Sequence, residues 1–393
     1  MKTNSARVVE VVYNWPAETF IQRHVEALDA VQLPVQVIAR HAAESLSENA
    51  SLGGVNANIH AEIMPNFDHL SGAGKIFSLR FLTGSSIRDR RATSLSEKTI
   101  LGYFERLQPV LIHFHHASLA ALMRWIPVTL GIPYTLSLRG SDVHSLGLQS
   151  EAQREVTLSA IRGAAKVHAV CRGLGQSVGH FLGNDFDFSV IYTALYVPSN
   201  LQPWKRSSGD TQIHFVSSGR LIWMKGFDHL LMAIDLLRKQ SVEARLTIVG
   251  VGPELDHLLY LRKMFDLENV VSFPGKLDYR QIQNLFSSAD AYVQSSLAEG
   301  LSNSVAEAMA NGLPVFATNV GGTAEVIEDG VTGFLLSPLA PQEWAEKLLQ
   351  VRDMALLQRV RRNAYERARQ FFSAEHHGCS FAAFFEDAVT QKH

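Results

Sequence analysis

The chain has 393 residues, of which 46% are apolar and 19% are charged. This balance excludes a disordered chain, and the length suffices for two ordinary domains, each with its own hydrophobic core. The formal net charge of -2 provides no overall basic field, so we do not expect nucleic acid as a partner.

Cysteine usage and hydropathy indicate the cellular setting. The two cysteines, Cys171 and Cys379, are far apart and form no C-x-x-C pattern, which favours a reducing compartment and no zinc site. No stretch approaches the roughly 18 apolar residues that span a bilayer. The first residues, MKTNSARVVEVVYNWP, lack the features of a signal peptide. We therefore expect a cytoplasmic protein that either stays free or rests on a membrane.

Short β-rich runs alternate with longer amphipathic segments along the whole chain, which is typical of parallel α/β architecture. Helical periodicity in the first half is clearest over Phe20–Ala30 and Ala117–Leu130. The strands predicted in this half are Val8–Tyr13, Val35–Ala39, Val110–Phe114, Tyr134–Leu138, Lys166–Val170 and Val190–Tyr192.

The second half repeats this rhythm after Pro198–Asp210, a segment rich in Pro, Ser and Gly that we predict to be a linker. Its strands are predicted at Ile213–Ser217, Arg245–Val249, Val271–Phe273, Ala291–Gln294 and Pro314–Ala317. We therefore predict two doubly wound Rossmann-like domains that face a cleft, over residues 1–200 and 211–370. A C-terminal helix within residues 371–393 is expected to return to the first domain.

The segment SSLAEGLSNSVAEAMANG, Ser295–Gly312, carries the strongest functional pattern. A predicted strand ends just before it. A helix is expected to begin at Ser302 or at the residue after it, either of which can cap the helix, and to stop at Gly312. Glu299 thus precedes the helix N-terminus, and Glu307 lies about one turn inside the helix.

This arrangement suits a nucleotide sugar. Free backbone N–H groups at a helix start bind phosphate oxygens, and Gly300 permits close backbone approach. Carboxylates accept hydrogen bonds from paired hydroxyls, so Glu307 is a candidate for holding a ribose and Glu299 for holding a hexose. For Glu307 alone, the alternative is an ordinary solvated helix residue, which the flanking pattern disfavours.

A second group of residues follows the strand predicted to end at Ser217. Gly219, Arg220 and Lys225 occupy the turn between this strand and the next helix. One charge pair at about 4 Å is worth roughly 4 kcal/mol at an effective dielectric constant near 20. Two cations at such a turn can therefore stabilise a departing diphosphate without a metal. A pair of solvated surface cations is the competing interpretation.

The stretches GRLIWMKGFDHLL, LTIVGVGPELDHL and VVSFPGKL, with the Glu-x7-Glu pattern that follows, resemble the donor half of family 4 glycosyltransferases of the GT-B fold, over residues 213–337. The resemblance implies retaining transfer of a hexose from a nucleoside diphosphate sugar with no metal cofactor. It implies that Arg220 and Lys225 bind the diphosphate and that Glu299 contacts the sugar, as the catalytic residues. The donor-binding residues that it implies are Gly219, Lys276, Leu277, Gly300, Leu301, Ser302 and Glu307.

The first half resembles the branch of this family that contains colanic-acid and exopolysaccharide transferases, through YNWPAETFIQRHVEAL and IHFHHASLAALMRWIPVTLGIPYTLSLRGSDV. Thr19 and Gln22 are predicted to form a capping box there. Arg139 stands where many family members have a histidine. Arginine cannot act as a base at neutral pH, but it can bind a phosphate or an acidic acceptor. The acceptor-side residues that the resemblance implies are Glu18, Thr19, His115, Arg139 and Asp142.

Three further patterns are weaker. The triplet Asp185–Asp187 matches a D-x-D metal motif, but a solvated turn is favoured. His113 and His115 share one face of a strand, and because no carboxylate partner is evident we do not predict a metal there. The basic segment Gly74–Ala92 is compatible with contact to an anionic membrane or a lipid-diphosphate acceptor, and equally with a solvated loop.

The sequence thus predicts a glycosyltransferase of polysaccharide or glycoconjugate biosynthesis, with a saccharide, lipid-linked or small-molecule acceptor. Two alternatives stay open. A glycoside hydrolase would use Glu299 and Glu307 as an acid and base pair, which requires carboxyl groups about 5–9.5 Å apart. A non-catalytic partner of the GT-B fold would bind the nucleotide sugar without turning it over, and Arg139 is a reason to keep this alternative.

Overall fold

The structure is a computed structural model, and it describes residues 8–15, 19–42, 60–63, 87–183, 185–201 and 212–390. Contacts divide the chain into two compact units. The first unit comprises Met1–Ala194 together with Ala374–His393, and the second unit comprises Leu195–Ser373. The predicted linker, Pro198–Asp210, lies largely outside the described residues.

The first unit is built on a parallel sheet, with the strand order β3-β2-β1-β4-β5-β6-β7 among the described residues. The strands are β1 (Val8–Trp15), β2 (Val35–Ala42), β3 (His60–Ile63), β4 (Leu111–Phe114), β5 (Tyr134–Leu138), β6 (Lys166–Ala169) and β7 (Ser189–Val190). β4 and β5 are buried along their whole length, as expected for strands with helices on both faces. The sequence did not predict β3, and β7 begins earlier and is shorter than expected.

Eight described helices belong to this unit. They are α1 (Thr19–Ala30), α2 (Ile87–Leu107), α3 (Ala117–Met123), α4 (Trp125–Leu130), α5 (Gly140–Leu146), α6 (Glu151–Arg162), α7 (Arg172–Leu182) and α15 (Ala374–Thr390). The prediction of a single helix over Ala117–Leu130 is therefore wrong, because the helix is interrupted at Arg124. Pro127 explains the break, since it lacks the N–H that would continue the ladder of α3 and is tolerated only in a first turn.

The second unit repeats the topology, with the strand order β10-β9-β8-β11-β12-β13 in the described part of the chain. Its strands are β8 (Ile213–Ser218), β9 (Ala244–Val249), β10 (Val271–Gly275), β11 (Ala291–Gln294), β12 (Val315–Thr318) and β13 (Phe334–Leu336). Its helices are α8 (Phe227–Lys239), α9 (Leu255–Met264), α10 (Tyr279–Ser288), α11 (Asn303–Ala310), α12 (Thr323–Val326), α13 (Pro341–Leu348) and α14 (Met354–Phe372). Short 3-10 turns cover Trp223–Lys225 and Leu349–Arg352.

Each unit has its own apolar core. In the first unit, Phe381, Phe384 and Phe385 of α15 pack against Leu28 of α1 and Leu111 of β4. In the second unit, both faces of the sheet are covered, and the core runs from β8 through α8 to α13 and α14. No helix among the described residues is both long and apolar enough to cross a membrane.

The two parallel sheets confirm the predicted fold class of two Rossmann-like α/β domains. Both share the strand order that places ligands at the carboxyl ends of the strands, where the order reverses. In the first unit this point lies between β1 and β4, and in the second between β8 and β11. The cleft between the domains stays a prediction.

Candidate functional site

The loop after β11 brings Glu299 into contact with Lys225. Lys225 Nζ lies 2.5 Å from Glu299 Oε1, and the same oxygen accepts hydrogen bonds from Ser296 Oγ at 2.7 Å and Gln294 Nε2 at 3.0 Å. The Lys225 side chain is 19% exposed and that of Glu299 is 11% exposed. Partial removal from water strengthens the attraction between the two charges. Two residues that the sequence assigns to the diphosphate and the sugar therefore form one polar unit.

Tyr292 supports this unit from within the sheet. Its hydroxyl accepts from the backbone N–H of Ser218 at 3.2 Å, and its one proton has two acceptors within reach, the Ser218 carbonyl oxygen at 3.1 Å and Gln294 Oε1 at 3.0 Å. Burial raises the pKa of Tyr292 to about 12, and the charge of Glu307 acts in the same direction. The hydroxyl therefore remains protonated beside the amide of Gln294, whose nitrogen donates to Glu299.

Two glycines allow the Lys225 turn and the Glu299 loop to approach each other. Gly226 has a φ of 60°, and a Cβ at this position would overlap the carbonyl oxygen of Ser295. Gly321 has a φ of 53°, and a Cβ there would overlap the carbonyl oxygen of Glu299. Only glycine meets both requirements. These glycines serve backbone packing around the site.

The helix that follows the loop begins as predicted. Ser302 is the N-cap of α11, and its Oγ accepts from the backbone N–H of Val305 at 3.4 Å. The carbonyl of the buried Gly300 accepts from the backbone N–H of Gly322 at 2.6 Å. Glu307 is half-buried one turn along the helix. Glu299 therefore lies three residues before the N-cap of α11 in the same loop.

The other predicted donor residues are less closely grouped. Gly219 lies beside the aliphatic part of Lys225, and Arg220 next to it is exposed. The half-buried Leu301 follows Gly300 in the loop. Lys276 and Leu277 follow β10, an edge strand that β9 and β8 separate from β11. The structure thus unites Lys225 with Glu299 and places Lys276 and Leu277 at the edge of the same sheet.

In the first unit, Arg139 follows β5 at the carboxyl edge of the sheet. Its Nε donates to the carbonyl oxygen of His115 at 3.2 Å, and Nη2 lies 3.4 Å from His115 Nδ1. The guanidinium is 4.1 Å from the ring centroid of Phe20. His115 is fully buried, so its link to this edge passes through Arg139. Thr19 is the exposed first residue of α1, and Glu18 lies outside the described residues.

Asp142, also predicted on the acceptor side, is almost completely buried. Its Oδ2 accepts from the backbone N–H of Ala117 at 3.3 Å and lies 3.2 Å from His116 Nδ1. Its Oδ1 accepts from Ser118 Oγ at 2.9 Å. The first backbone N–H of α3 has no acceptor within the helix, and the Asp142 carboxylate provides one. These contacts give Asp142 a structural role in holding the loop after β4.

The expectation that His113 and His115 lack a carboxylate partner is wrong. Glu10 of β1 is fully buried beside them, and one ligand-type atom from each of the three residues lies within 4.8 Å of the others. His24 Nε2 lies 3.2 Å from Glu10 Oε1, and His24 Nδ1 lies 2.9 Å from His377 Nε2. By donor type these residues are able to hold a metal, but their contacts also form a hydrogen-bond network.

Burial controls the charge of this cluster. It lowers the pKa of His113, His115 and His377 well below the ordinary histidine value, and that of His168 to about 3. Burial alone would raise the pKa of Glu10, but the electrostatic effects of His113, His24 and Arg139, with the hydrogen bond to His24, outweigh it and leave that pKa below its usual value. The cluster therefore combines an ionised carboxylate with several neutral imidazoles.

One predicted region and several unpredicted residues complete the description of the candidate sites. The side chains of the basic segment Gly74–Ala92 lie outside the described residues, so its predicted membrane or lipid contact stays a prediction. Five residues that take part in the contacts of these sites were not predicted from the sequence: Glu10, His24, Tyr292, Gln294 and Ser296. One signal was available, because Glu10 is a charge inside the apolar run VVEVVY, and a lone charge in such a strand is unusual unless it is paired.

Comparison with known proteins places the second unit in a family. Residues 199–371 match the family described as "Glycosyl transferases group 1". The N-acetyl-alpha-D-glucosaminyl L-malate synthase of Bacillus anthracis is 26% identical over 273 residues, which is 66% of this chain and 69% of that protein. A putative colanic acid biosynthesis glycosyltransferase, WcaL of Salmonella typhimurium, is 29% identical over 171 residues and spans 42% of each chain.

A solved structure shows the same fold over nearly the whole chain. HepE of Anabaena, crystallised with UDP-glucose, aligns with a TM-score of 0.73 over 97% of this chain and 100% of its own, at 18% identity. The sequence match to WcaL covers less than half of that relative, so it establishes kinship and not a shared substrate. The chain therefore carries a glycosyl transferases group 1 domain at residues 199–371.

Proposed function

We propose that this protein transfers a hexose from a nucleoside diphosphate sugar to a hydroxyl of a saccharide, lipid-linked or small-molecule acceptor, with retention at the anomeric carbon. The observation that carries the proposal is the ion pair between Lys225, in the turn before α8, and Glu299, in the loop before α11, both within the group 1 domain. The complex of HepE with UDP-glucose supports the choice of donor class.

The departing nucleoside diphosphate requires positive charge, and this site supplies it. An ammonium has three N–H donors, so the contact of Lys225 with Glu299 leaves donors for phosphate oxygens. The exposed Arg220 adds a second cation, and the first turn of α11 adds backbone N–H groups. Because these groups supply the charge, the proposed reaction needs no metal ion.

Glu299 suits a donor-holding role better than acid catalysis. Its Oε1 already accepts from an ammonium, a hydroxyl and an amide. An oxygen with three donors acts as an acceptor and is poorly placed to give a proton to a leaving group. This arrangement disfavours a hydrolase that pairs Glu299 with Glu307 as acid and base. We expect Glu299 to orient Lys225 and to accept hydrogen bonds from hexose hydroxyls.

Retention follows if the acceptor attacks from the face that the diphosphate leaves. The acceptor oxygen forms the bond to the anomeric carbon while the bond from that carbon to the phosphate oxygen breaks. The proton of the acceptor hydroxyl passes to the leaving phosphate oxygen. No protein base is required in this scheme, so an arginine at position 139 is compatible with turnover.

Product analysis tests the proposal. The protein is incubated with labelled UDP- and GDP-sugars, alone and with saccharide or lipid-linked acceptors, and both the nucleotide and the new glycoside are measured. We expect glycoside only when an acceptor is present. Lys225→Ala should lower kcat by about 10²–10³, the range for one lost transition-state donor. Lys239→Ala, which removes an exposed lysine paired with Asp235, should leave kcat unchanged. Release of free sugar from the donor alone, at the rate of donor turnover seen with an acceptor, would contradict the transferase assignment.

A further inference from the structure

A continuous line of polar contacts crosses the interior of the first unit and ends at Arg139. It begins at the carbonyl oxygen of Tyr192, which lies 2.7 Å from His377 Nδ1. It continues through the contacts of His377 with His24 and of His24 with Glu10. The contacts in order then run from Glu10 Oε2 to His115 Nε2 at 2.5 Å and from His115 Nδ1 to Arg139 Nη2 at 3.4 Å.

The two ends of this line fix the protons between them. A guanidinium only donates, so His115 Nδ1 must accept from Arg139, and the proton of the neutral His115 ring must lie on Nε2. His115 Nε2 lies 2.5 Å from Glu10 Oε2. The contact lacks hydrogen-bond geometry, since neither atom has a hydrogen-bond partner among the described residues. Glu10 therefore acts on His115 through its negative charge, which favours the proton on Nε2 and leaves Nδ1 to accept from Arg139.

The other end fixes the protons of His377 and of one nitrogen of His24. The carbonyl of Tyr192 only accepts, so His377 carries its proton on Nδ1 and accepts at Nε2. His24 must then donate from Nδ1, and the hydrogen bond between His24 Nε2 and Glu10 Oε1 holds one further proton. Glu10 thus has a ring nitrogen beside each of its two oxygens.

A second line of hydrogen bonds runs from Ile191 to Thr135 and does not reach Arg139. His168 Nε2 donates to the carbonyl of Ile191 at 2.8 Å, and Ser137 Oγ donates to His168 Nδ1 at 2.8 Å. Ser137 Oγ must then accept from His113 Nε2 at 3.0 Å, and Thr135 Oγ1 donates to His113 Nδ1 at 2.8 Å. Both ring nitrogens of His113 are thus occupied by hydroxyls. This disfavours a metal ion at Glu10, His113 and His115, because a ligand nitrogen needs a free lone pair.

We propose that Glu10 and His115 are positioning residues for Arg139, and that they hold its guanidinium in one orientation for an anionic group of a substrate at the carboxyl edge of the first sheet. The proposal rests on the proposed function for the existence of that substrate. Arg139 is fixed on two sides, by His115 through its Nε and Nη2 and by the ring of Phe20. Without an oxygen of residue 10 beside Nε2, the His115 proton is free to move to Nδ1, where it would repel the guanidinium.

The first test uses the protein alone and no substrate. Proton–nitrogen correlation spectra of protein labelled with 15N-histidine distinguish the two neutral forms of each ring. We expect His115 to be protonated on Nε2 and unprotonated on Nδ1, with signals assigned by His115→Gln and His113→Gln. Glu10→Gln should preserve this form, because its amide oxygen accepts from His115 and its amide nitrogen donates to a neutral His24. Glu10→Leu should remove the preference for Nε2.

The second test asks whether Glu10 acts through Arg139. Arg139→Ala and Glu10→Leu should each lower kcat/KM for the acceptor by about tenfold or more, the worth of a hydrogen bond to a charged group. The double variant should have the same kcat/KM for the acceptor as Arg139→Ala alone, because the effects of residues that act as one unit do not add. His113→Gln is the matched control: it removes a buried imidazole from the second line of hydrogen bonds, and its effect should add to that of Arg139→Ala.

Three results would overturn the proposal. His115 protonated on Nδ1 in the wild-type protein contradicts it even if Glu10→Leu fails to fold. Additive effects of Glu10→Leu and Arg139→Ala would give Glu10 a purely structural role. About one equivalent of a divalent metal, lost in His113→Gln, would make the cluster a metal site. Absence of turnover with every donor would count against the proposed function alone, since the ring spectra do not depend on it.

Discussion

Several histidines of the first unit have lowered pKa values because burial removes water from them. Four imidazoles, those of His113, His115, His168 and His377, have pKa values below the ordinary value of 6.5. An imidazolium at such a depth would lose its hydration, and for His113 this loss outweighs the attraction of Glu10. These rings therefore act as neutral hydrogen-bonding groups, and the fold must keep them neutral.

This requirement predicts acid sensitivity of the first unit. In the unfolded chain each ring binds a proton below about pH 6.5, whereas in the folded chain it does so only at lower pH, near 3 for His168. The unfolded state thus binds more protons in this window, so the free energy of unfolding should fall as pH falls through about 6.5, by up to about 1.4 kcal/mol per pH unit for each ring. Above about pH 7.5 these rings should contribute no pH dependence. Glu10, with its lowered pKa, adds a further loss only in stronger acid.

Denaturant unfolding of the first unit, followed from about pH 8 to pH 5, measures this dependence. The variant His168→Asn is compared with the wild type, because it removes one titrating ring. Its free energy of unfolding should depend less steeply on pH, by the contribution of one proton. A free energy of unfolding that is flat across this range would show that the rings are not held neutral.

Several single residues of the site could be predicted from the sequence, and others could not. Lys225, Glu299 and Ser302 were predicted because charge and capping chemistry stand out beside a strand end. Gln294 and Tyr292 were missed, since their roles depend on contacts across neighbouring strands that no local pattern encodes. Glu10 was missed for the same reason: its partners come from α1 and β4.

At the scale of elements, the turn between β8 and α8 determines where Lys225 points. Gly226 ends the 3-10 turn and is the N-cap of α8, with left-handed backbone.

Most strands and helices were predicted because their hydrophobic period is regular. The three-residue β13 was missed because three residues are too few to show a period, and β3 because it lies at the edge of the sheet.

Replacing Gly226 by alanine tests the close packing of this turn. Gly330→Ala is the matched control, since Gly330 has a similar φ of 72° but open space around it. We expect Gly330→Ala to cost about 1–2 kcal/mol, the strain of a left-handed alanine. Gly226→Ala should cost more, because its Cβ would also meet the Ser295 carbonyl, and it should weaken donor binding. Denaturant unfolding measures the loss in the free energy of unfolding for both variants. Equal losses would show that the contact of the new Cβ with the Ser295 carbonyl does not destabilise the fold.

At the scale of the whole molecule, two sheets with the same strand order carry different side chains at their carboxyl edges. The second sheet presents Lys225, Glu299 and the start of α11, and the first presents Arg139 above a buried histidine network. The sequence predicted this division through strand rhythm and motif position. It could not predict the acceptor, because the residues around Arg139 act through buried neighbours that are distant along the chain.

The measurement that tests the account most directly is protection of the protein against thermal unfolding by UDP, GDP and their sugars, compared between wild type, Lys225→Ala and Lys239→Ala. A ligand at 100 times its dissociation constant stabilises the folded state by about 2.7 kcal/mol, which is a measurable rise in Tm. We predict that at least one nucleotide sugar raises the Tm of wild type and Lys239→Ala, and that Lys225→Ala loses most of this rise. Equal protection of Lys225→Ala and wild type, or no protection by any nucleotide, would contradict the assignment of the donor site.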